Sequence, residues 1–221
     1  MSRQAHIGKQ PKVVAVLTSL DSLDRFARLK TRPCHLAEIR LDHIGPESNW
    51  LPLCRSIQES GTPVILTLRA AYEGGKWSGR EDERLKILES ALPEVAAVDV
   101  ELKSGLGPKL AGRGTQVNAS HHDFSASPTL DELRRITMEA FAAGDVAKIS
   151  TMVNSTEDIH TLEQLLSQKH QGPICTIGMG ELGIKTRTDF PRQGSCLTYG
   201  YFEDSAAPGQ LPAATLMELL G

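Results

Sequence analysis

Short apolar runs alternate with amphipathic stretches along almost the whole chain. Eight runs rich in aliphatic and β-branched residues stand out: Val13–Ser19, His35–Asp42, Val64–Ala70, Ala97–Leu102, Gln116–His122, Val146–Thr151, Ile174–Met179 and Leu197–Phe202. Each has the length of a strand. Helical spacing appears between most of them. Arg80–Leu92 sets Leu85, Leu88 and Leu92 on one face, and Thr129–Ala142 brings Leu133, Ile136 and Phe141 near the same period. Ser155–Gln168 begins with Ser155 three residues before Asp158, an approximate capping box. Asn49–Glu59 and the terminal Ala213–Leu220 complete the set. The helices after the fourth and seventh runs are the most weakly marked.

Strand and helix alternating eight times predicts an α/β fold of the (β/α)8, or TIM-barrel, kind. With 221 residues it is compact for that architecture, which typically takes about 250. A doubly wound open sheet is the alternative, but it usually has fewer strands and often a glycine-rich first turn. Here Thr18-Ser19-Leu20-Asp21-Ser22 closes the first run and follows it. No internal repeat, low-complexity tract or linker divides the sequence, so residues 1–221 are expected to form one catalytic domain.

Alternation along a strand sorts its residues onto two faces. Glu38, Arg40 and Asp42 share one face of the second run, Thr67 and Arg69 of the third, and Asp99 and Glu101 of the fourth. Asn118, Ser120 and His122 do the same in the fifth, and Lys148 and Ser150 in the sixth. The opposite faces are apolar. Barrel interiors are ordinarily filled with branched apolar side chains. Five consecutive strands sending polar groups inward, toward the ends where barrel sites are built, therefore mark a site. An antiparallel sheet with one solvated face would give the same alternation, but the intervening helices favour parallel crossovers.

Lys148 is the most informative member of that face. An ammonium on a buried strand is costly and responds by shifting toward the free amine. A free amine on a rigid strand is what Schiff-base chemistry needs. His122 shares the inward face and has the ordinary acidity of a proton shuttle. Either residue alone has a plain structural explanation, a paired or snorkelling lysine and a hydrogen-bonded core histidine. Together they point to catalysis.

Composition excludes several classes. A net charge of -3 gives no basic surface for nucleic acid or anionic membrane. No apolar stretch is long enough to span a bilayer, and Met1–Lys12 has no apolar signal-peptide core. Cys34, Cys54, Cys175 and Cys196 are scattered, as buried free thiols of a cytoplasmic protein are. His121 and His122 are adjacent on a strand and point apart, so they do not suggest one metal ion. Glu73-Gly74-Gly75 makes a turn from which Glu73 can reach back into the mouth. Gly178-Met179-Gly180-Glu181-Leu182-Gly183 lacks the spacing of a phosphate loop. Ala206-Ala207-Pro208-Gly209-Gln210 could close over a ligand, although its composition alone suits an ordinary loop.

Glu38-Ile39-Arg40-Leu41-Asp42, Thr67-Leu68-Arg69 with Glu73-Gly74-Gly75, Asp99-Val100-Glu101, Ser120-His121-His122-Asp123-Phe124, Val146-Ala147-Lys148-Ile149, Met179-Gly180, Arg187 with Gly194-Ser195, and Ala207-Pro208-Gly209-Gln210 run in order through most of the chain. In this set the sequence resembles type I 3-dehydroquinate dehydratase, a (β/α)8 enzyme of the shikimate pathway. The resemblance implies Lys148 as the Schiff-base lysine, His122 as general acid and base, and Glu73 as its holder. It implies that Arg187 binds the substrate carboxylate, that Glu38, Arg40, Arg69 and Gln210 contact hydroxyls or the closed lid, and that Met179 lines the pocket. It further implies 3-dehydroquinate as the small-molecule substrate, no metal or nucleotide cofactor, and an open possibility of a homodimer.

The chain departs from the family pattern at Ala206, where serine is frequent, and at Thr186, where serine is common and the change is expected to matter little. Whether the segment before Val13 plugs the barrel base is left open. A class I aldolase would share the lysine but, for a phosphorylated substrate, would call for a clearer phosphate site. A catalytically inactive barrel binding a polyhydroxy acid is the other alternative, and the Lys148–His122 pair speaks against it.

Overall fold

The computed structural model describes residues 7–205 and 209–221. Eight strands form one parallel sheet in the order β7-β6-β5-β4-β3-β2-β1-β8: β1 Lys12–Leu17, β2 Leu36–Arg40, β3 Val64–Thr67, β4 Ala97–Glu101, β5 Gln116–Asp123, β6 Val146–Met152, β7 Ile174–Met179 and β8 Leu197–Tyr201. The remaining seam, between β7 and β8, is drawn together at its base. Cys196 N–H donates to the Ile174 carbonyl at 2.8 Å, and Thr176 N–H to Ser195 Oγ at 3.0 Å. A TIM barrel results.

Helices α1 Leu20–Arg28, α2 Leu41–Ile44, α3 Leu51–Glu59, α4 Glu81–Ala91, α5 Gly107–Leu110, α6 Leu130–Ala143, α7 Thr156–Leu166, α8 Thr186–Gln193 and α9 Ala213–Leu220 follow in chain order. The apolar spacing found five of these within a few residues. It did not single out α1, although Ser19 caps it reciprocally with Ser22 and Leu23 and Phe26 are buried. After β4, glycines and a proline cut the expected helix to a 3₁₀ turn, Leu102–Ser104, and the four-residue α5. Strand ends also differ from the sequence pattern. β2 stops at Arg40, so Asp42 lies on the helical turn α2 and not on a strand face shared with Glu38 and Arg40. β3 stops at Thr67, leaving Arg69 just beyond it. The buried stripe of α4 is Arg84, Leu88 and Ala91, with Leu85 only half-buried; a buried arginine replaces the leucine expected there.

Two apolar shells lie outside the sheet. Outward residues of β1 to β4, such as Leu17, Ile39, Leu66 and Val100, pack on Phe26, Ile57 and Leu88 of the helices. Ala147 and Ile149 of β6 pack on Leu133 and Leu162. A third cluster fills the barrel base: Ile7, Val14, Leu36, Ile65, Ala97 and Val146 belong to it. Two residues further along four of these strands the inward side chain is polar: Glu38, Thr67, Asp99 and Lys148. The interior thus changes from apolar floor to charged layer in a single step.

Ile7 answers the question of the base. Its N–H donates to Gln116 Oε1 at 2.6 Å, and its side chain is buried in the floor. Residues 1–6 lie outside the described residues. Truncating Ile7 removes a fully enclosed branched side chain, so Ile7→Ala should lower unfolding free energy by about 2–5 kcal/mol. Urea titration measures the loss, while turnover by the folded protein should be unchanged because the floor is remote from the mouth.

Candidate active site

Lys148 of β6 is buried inside the charged layer, and its amine is not bare. Nζ donates to Asp99 Oδ2 at 2.8 Å. On its other oxygen Asp99 accepts from Arg69 Nη2 at 2.5 Å and from Ser120 Oγ at 2.7 Å. Arg69 Nη1 reaches Ser120 Oγ at 2.8 Å and Glu101 Oε1 at 2.9 Å. Burial alone would raise the Asp99 carboxyl, but Arg69 and then Lys148 outweigh it and hold it well below the usual carboxylate range. Asp99 therefore stays ionised and divides its charge between two cations.

The Tyr199 ring of β8 flanks the same amine, with Nζ 4.1 Å from its centroid. A cation over a desolvated aromatic face gains electrostatic energy of about 2 kcal/mol. Tyr199 escaped the sequence pattern because an aromatic residue on a buried strand looks like packing. Its signal is its inward parity with Leu197, a floor residue. Asp99 and Glu101 were visible as inward charges but not as partners of particular cations.

His122 of β5 lies beside this cluster. Glu73 Oε2 accepts from His122 N–H at 3.1 Å and lies 2.9 Å from Nδ1. With Nδ1 engaged, Nε2 is the nitrogen left to act on a ligand. Burial first, then Arg69 and Lys148, lower the imidazole well below its ordinary value, so His122 is neutral and a base at neutral pH. The Phe124 ring stacks on it at 6.1 Å. Glu73 comes from a 3₁₀ turn, Ala71–Glu73, ended by Gly74 in the left-handed region at φ 75°. A Cβ on Gly74 would meet Phe124 at 2.5 Å, and one on Gly75 would lie 2.0 Å from the Arg69 carbonyl oxygen. The two glycines let the turn fold flat against Arg69 and aim Glu73 at His122.

Arg187, on α8, is buried and donates to the Gly209 carbonyl at 2.7 Å and the Tyr199 carbonyl at 3.0 Å. No carboxylate of the described residues acts on it, and burial pulls the guanidinium down to about 10. Thr186 beside it accepts Gly178 N–H at 3.0 Å and donates to the Gly183 carbonyl at 2.7 Å. A serine hydroxyl could make both bonds. Arg40 is fixed by a bidentate pair to Asp42 at 2.9 and 2.8 Å, and Glu38 accepts from Thr67 Oγ1 at 2.7 Å. Met179 and Gln210 complete a cavity of about 210 Å³ lined also by Glu38, Arg40, Arg69, Glu73, His122, Lys148 and Arg187. All nine residues expected to act on substrate meet in it. Ala206, Ala207 and Pro208 of the expected lid lie outside the described residues. Among the described residues no group of three His, Cys, Asp or Glu side chains is arranged to hold a metal ion, and no helix is long and apolar enough to cross a membrane.

A parallel barrel with a lysine and a neutral histidine in one polar chamber at its C-terminal mouth has the build of a (β/α)8 enzyme. Comparison with known proteins makes the class particular. The sequence model of the type I 3-dehydroquinase family matches residues 13–221. The 3-dehydroquinate dehydratase of Methanosarcina barkeri is 37% identical over 236 residues, covering 98% of this chain and 96% of that one. The 3-dehydroquinate dehydratase structure from Aquifex aeolicus superposes with a TM-score of 0.82 at 27% identity, covering 94% of this chain and 96% of the other. That from Geobacillus kaustophilus reaches 0.85 at 23% identity, over 100% and 97%, a likeness of fold. The chain belongs to the type I 3-dehydroquinase family, lyases that dehydrate 3-dehydroquinate.

Glu73 yields a test of the site's electrostatics. Burial, with Glu101 adding to it and Arg69 opposing, pushes its carboxyl up from 4.5 to about 7. Between those values the folded protein holds a proton that the unfolded chain has released. The resulting stabilisation is complete below pH 4.5 and is lost as pH rises through 7, about 3 kcal/mol in all. Glu73→Gln removes this dependence. Urea titrations from pH 4 to 8 should therefore show the wild type losing stability relative to the variant as pH rises; parallel curves would mean that Glu73 titrates normally.

Proposed function

We propose that this chain converts 3-dehydroquinate to 3-dehydroshikimate by syn dehydration through an imine on Lys148, with His122 carrying the protons. The observation that carries this reading is the shared chamber: a buried amine held by Asp99 and a neutral imidazole whose Nδ1 is engaged by Glu73. Lys148 attacks the C3 ketone as the free amine, and loss of water gives an iminium that draws electrons from C2. His122 Nε2 removes a C2 proton. The enamine then expels the C1 hydroxyl, which takes the same proton from His122 and leaves as water. Hydrolysis of the product imine consumes one water and frees Lys148. A single histidine serves both transfers if proton and hydroxyl depart from one face of the ring.

Depression of the His122 basicity suits this double role. A base that is weak when neutral becomes a strong acid once protonated and gives the proton up readily. Glu73 orients the ring and supports the imidazolium. Arg187, buried with no carboxylate partner among the described residues, fits the substrate's carboxylate. Glu38, Arg40, Arg69 and Gln210 fit its hydroxyls or the closed lid, and Met179 gives an apolar wall. We further infer one catalytic domain, cytoplasmic, acting on a small molecule with neither nucleic acid nor membrane as partner. The family resemblance allows a homodimer.

Mixing protein, 3-dehydroquinate and borohydride, then mapping the adduct by mass spectrometry, tests the imine. Wild type should carry a reduced adduct on Lys148, and Lys148→Ala none; turnover without any adduct would sink the mechanism. His122→Ala should still trap substrate while kcat falls roughly 10²–10⁴-fold, the contribution of a positioned acid–base group. For Arg187→Leu the expectation is a KM raised about 10-fold or more, since a buried charged hydrogen bond contributes about 1.5–3 kcal/mol. An unchanged KM would remove Arg187 from carboxylate binding.

A further inference from the structure

Arg84 lies outside the barrel on α4, yet it is 0% exposed and faces inward with Leu88 and Ala91. Its Nη1 sits 2.6 Å from Glu101 Oε2 and donates to the Leu68 carbonyl at 3.2 Å, while Nη2 sits 2.9 Å from the partly exposed Glu81. The two carboxylate contacts are ionic in distance but lie off the hydrogen-bonding direction. The other Glu101 oxygen accepts from Arg69 Nη1 at 2.9 Å and from Ala70 N–H at 3.0 Å. Arg69 in turn holds Asp99, and Asp99 holds Lys148. Charges alternate along the whole line: Arg84, Glu101, Arg69, Asp99, Lys148.

We propose that Arg84 is a positioning residue for the reaction, acting through Glu101 and Arg69 to keep Asp99 from binding the Lys148 ammonium too tightly. Glu101 and Asp99 compete for one guanidinium, that of Arg69. While Arg84 neutralises Glu101, Arg69 is free to take half of the Asp99 charge. Without Arg84, the buried Glu101 keeps Arg69 as its remaining cationic partner and draws that guanidinium further to itself. Asp99 then turns its charge on Lys148 and favours the protonated form, which cannot attack a ketone. The other groups around the amine are Glu38 on β2, His122 on β5, Cys175 on β7, Tyr199 on β8 and Arg187 on α8. None of them touches Arg84, but His122 also feels Arg69 and Asp99. The trapped Lys148 adduct against pH, which needs no proton transfer by His122, therefore reads the amine separately from kcat/KM, and a purely structural arginine would leave it unmoved.

The inference rests on Lys148 being the imine-forming lysine, and one experiment separates the two. Wild type, Arg84→Met, Arg84→Lys, Glu101→Gln and the Arg84→Met/Glu101→Gln double variant are compared. The readouts are kcat/KM against pH, borohydride-trapped Lys148 adduct against pH, and thermal unfolding. In Arg84→Met the acidic limb should move about one unit higher, the counterpart of a 10-fold lower reactive fraction on that limb. Arg84→Lys should restore most of the shift. On a Glu101→Gln background, where no carboxylate is left to release, Arg84→Met should change the profile less than about 2-fold, the non-additivity of residues in one network. An unmoved limb in Arg84→Met, or an equal loss on both backgrounds, would overturn the proposal. Should Arg84→Met fail to fold, Arg84→Lys decides: a shortened, imperfect pair predicts a limb shifted by a fraction of a unit, and an unshifted limb overturns the idea. Absence of a wild-type adduct would instead overturn the imine reading itself.

Discussion

Asp99 is the carboxylate on which the site is built. A lone ionised carboxylate at this depth would cost several kcal/mol of desolvation. Here it has three partners, Lys148 on one oxygen and Arg69 and Ser120 on the other. Lys148 has Asp99 as its ion-pair partner, Arg69 divides itself between Asp99 and Glu101, and Asp99 in turn draws on both cations. Under the proposed function, sharing also bears on the chemistry. A carboxylate owned by Lys148 alone would hold the proton that imine formation requires to leave, whereas one divided with Arg69 would hold the amine more loosely.

Such a cluster needs a rigid frame, and the barrel provides it one strand at a time. Asp99, Ser120 and Lys148 come from β4, β5 and β6, and Glu101↔Ser120 and Ser120↔Lys148 are register pairs. Parallel hydrogen bonding therefore fixes their spacing before any side chain chooses a partner. Below them the floor of Ile7, Val14, Leu36, Ile65 and Val146 lines the base with apolar side chains. Dry surroundings strengthen every charged contact above, which is also why each charge there must find a partner.

Much of this was legible in the sequence because period-two alternation is a strong signal where one face is apolar. It located Glu38, Thr67, Asp99, Ser120, His122 and Lys148 on the inner face, and all six are found buried or lining the cavity. What failed was whatever depends on where a strand stops. Asp42 continues the alternation of β2, but the backbone turns helical at Leu41, so its side chain serves as a clamp for Arg40 and Lys76 N–H at the rim. Partner choice is equally invisible. Nothing in the spacing says that Lys148 pairs with Asp99 from 49 residues away, or that Arg84 belongs to the buried stripe of α4. An arginine between apolar positions normally signals a solvated helix face.

The distribution of charge also bears on what the chamber is made to receive. Arg69 and Lys148 have carboxylate partners inside the protein, and Arg40 has Asp42 at the rim. Among the described residues Arg187 is held by the Gly209 and Tyr199 carbonyls, which orient a guanidinium without neutralising it. A buried cation left in this state is stabilised by an incoming anion more than a paired one would be, because the cost of its desolvation has already been met in folding. Its contact with Gly209 lies at the root of the loop that continues into Gln210, another cavity residue. Under the proposed function, a carboxylate reaching Arg187 would neutralise the guanidinium beside that loop while the ring of the substrate extends toward Lys148. Recognition of the acid and presentation of the ketone would then be one event, with the separation of Arg187 from the Lys148 amine acting as the ruler.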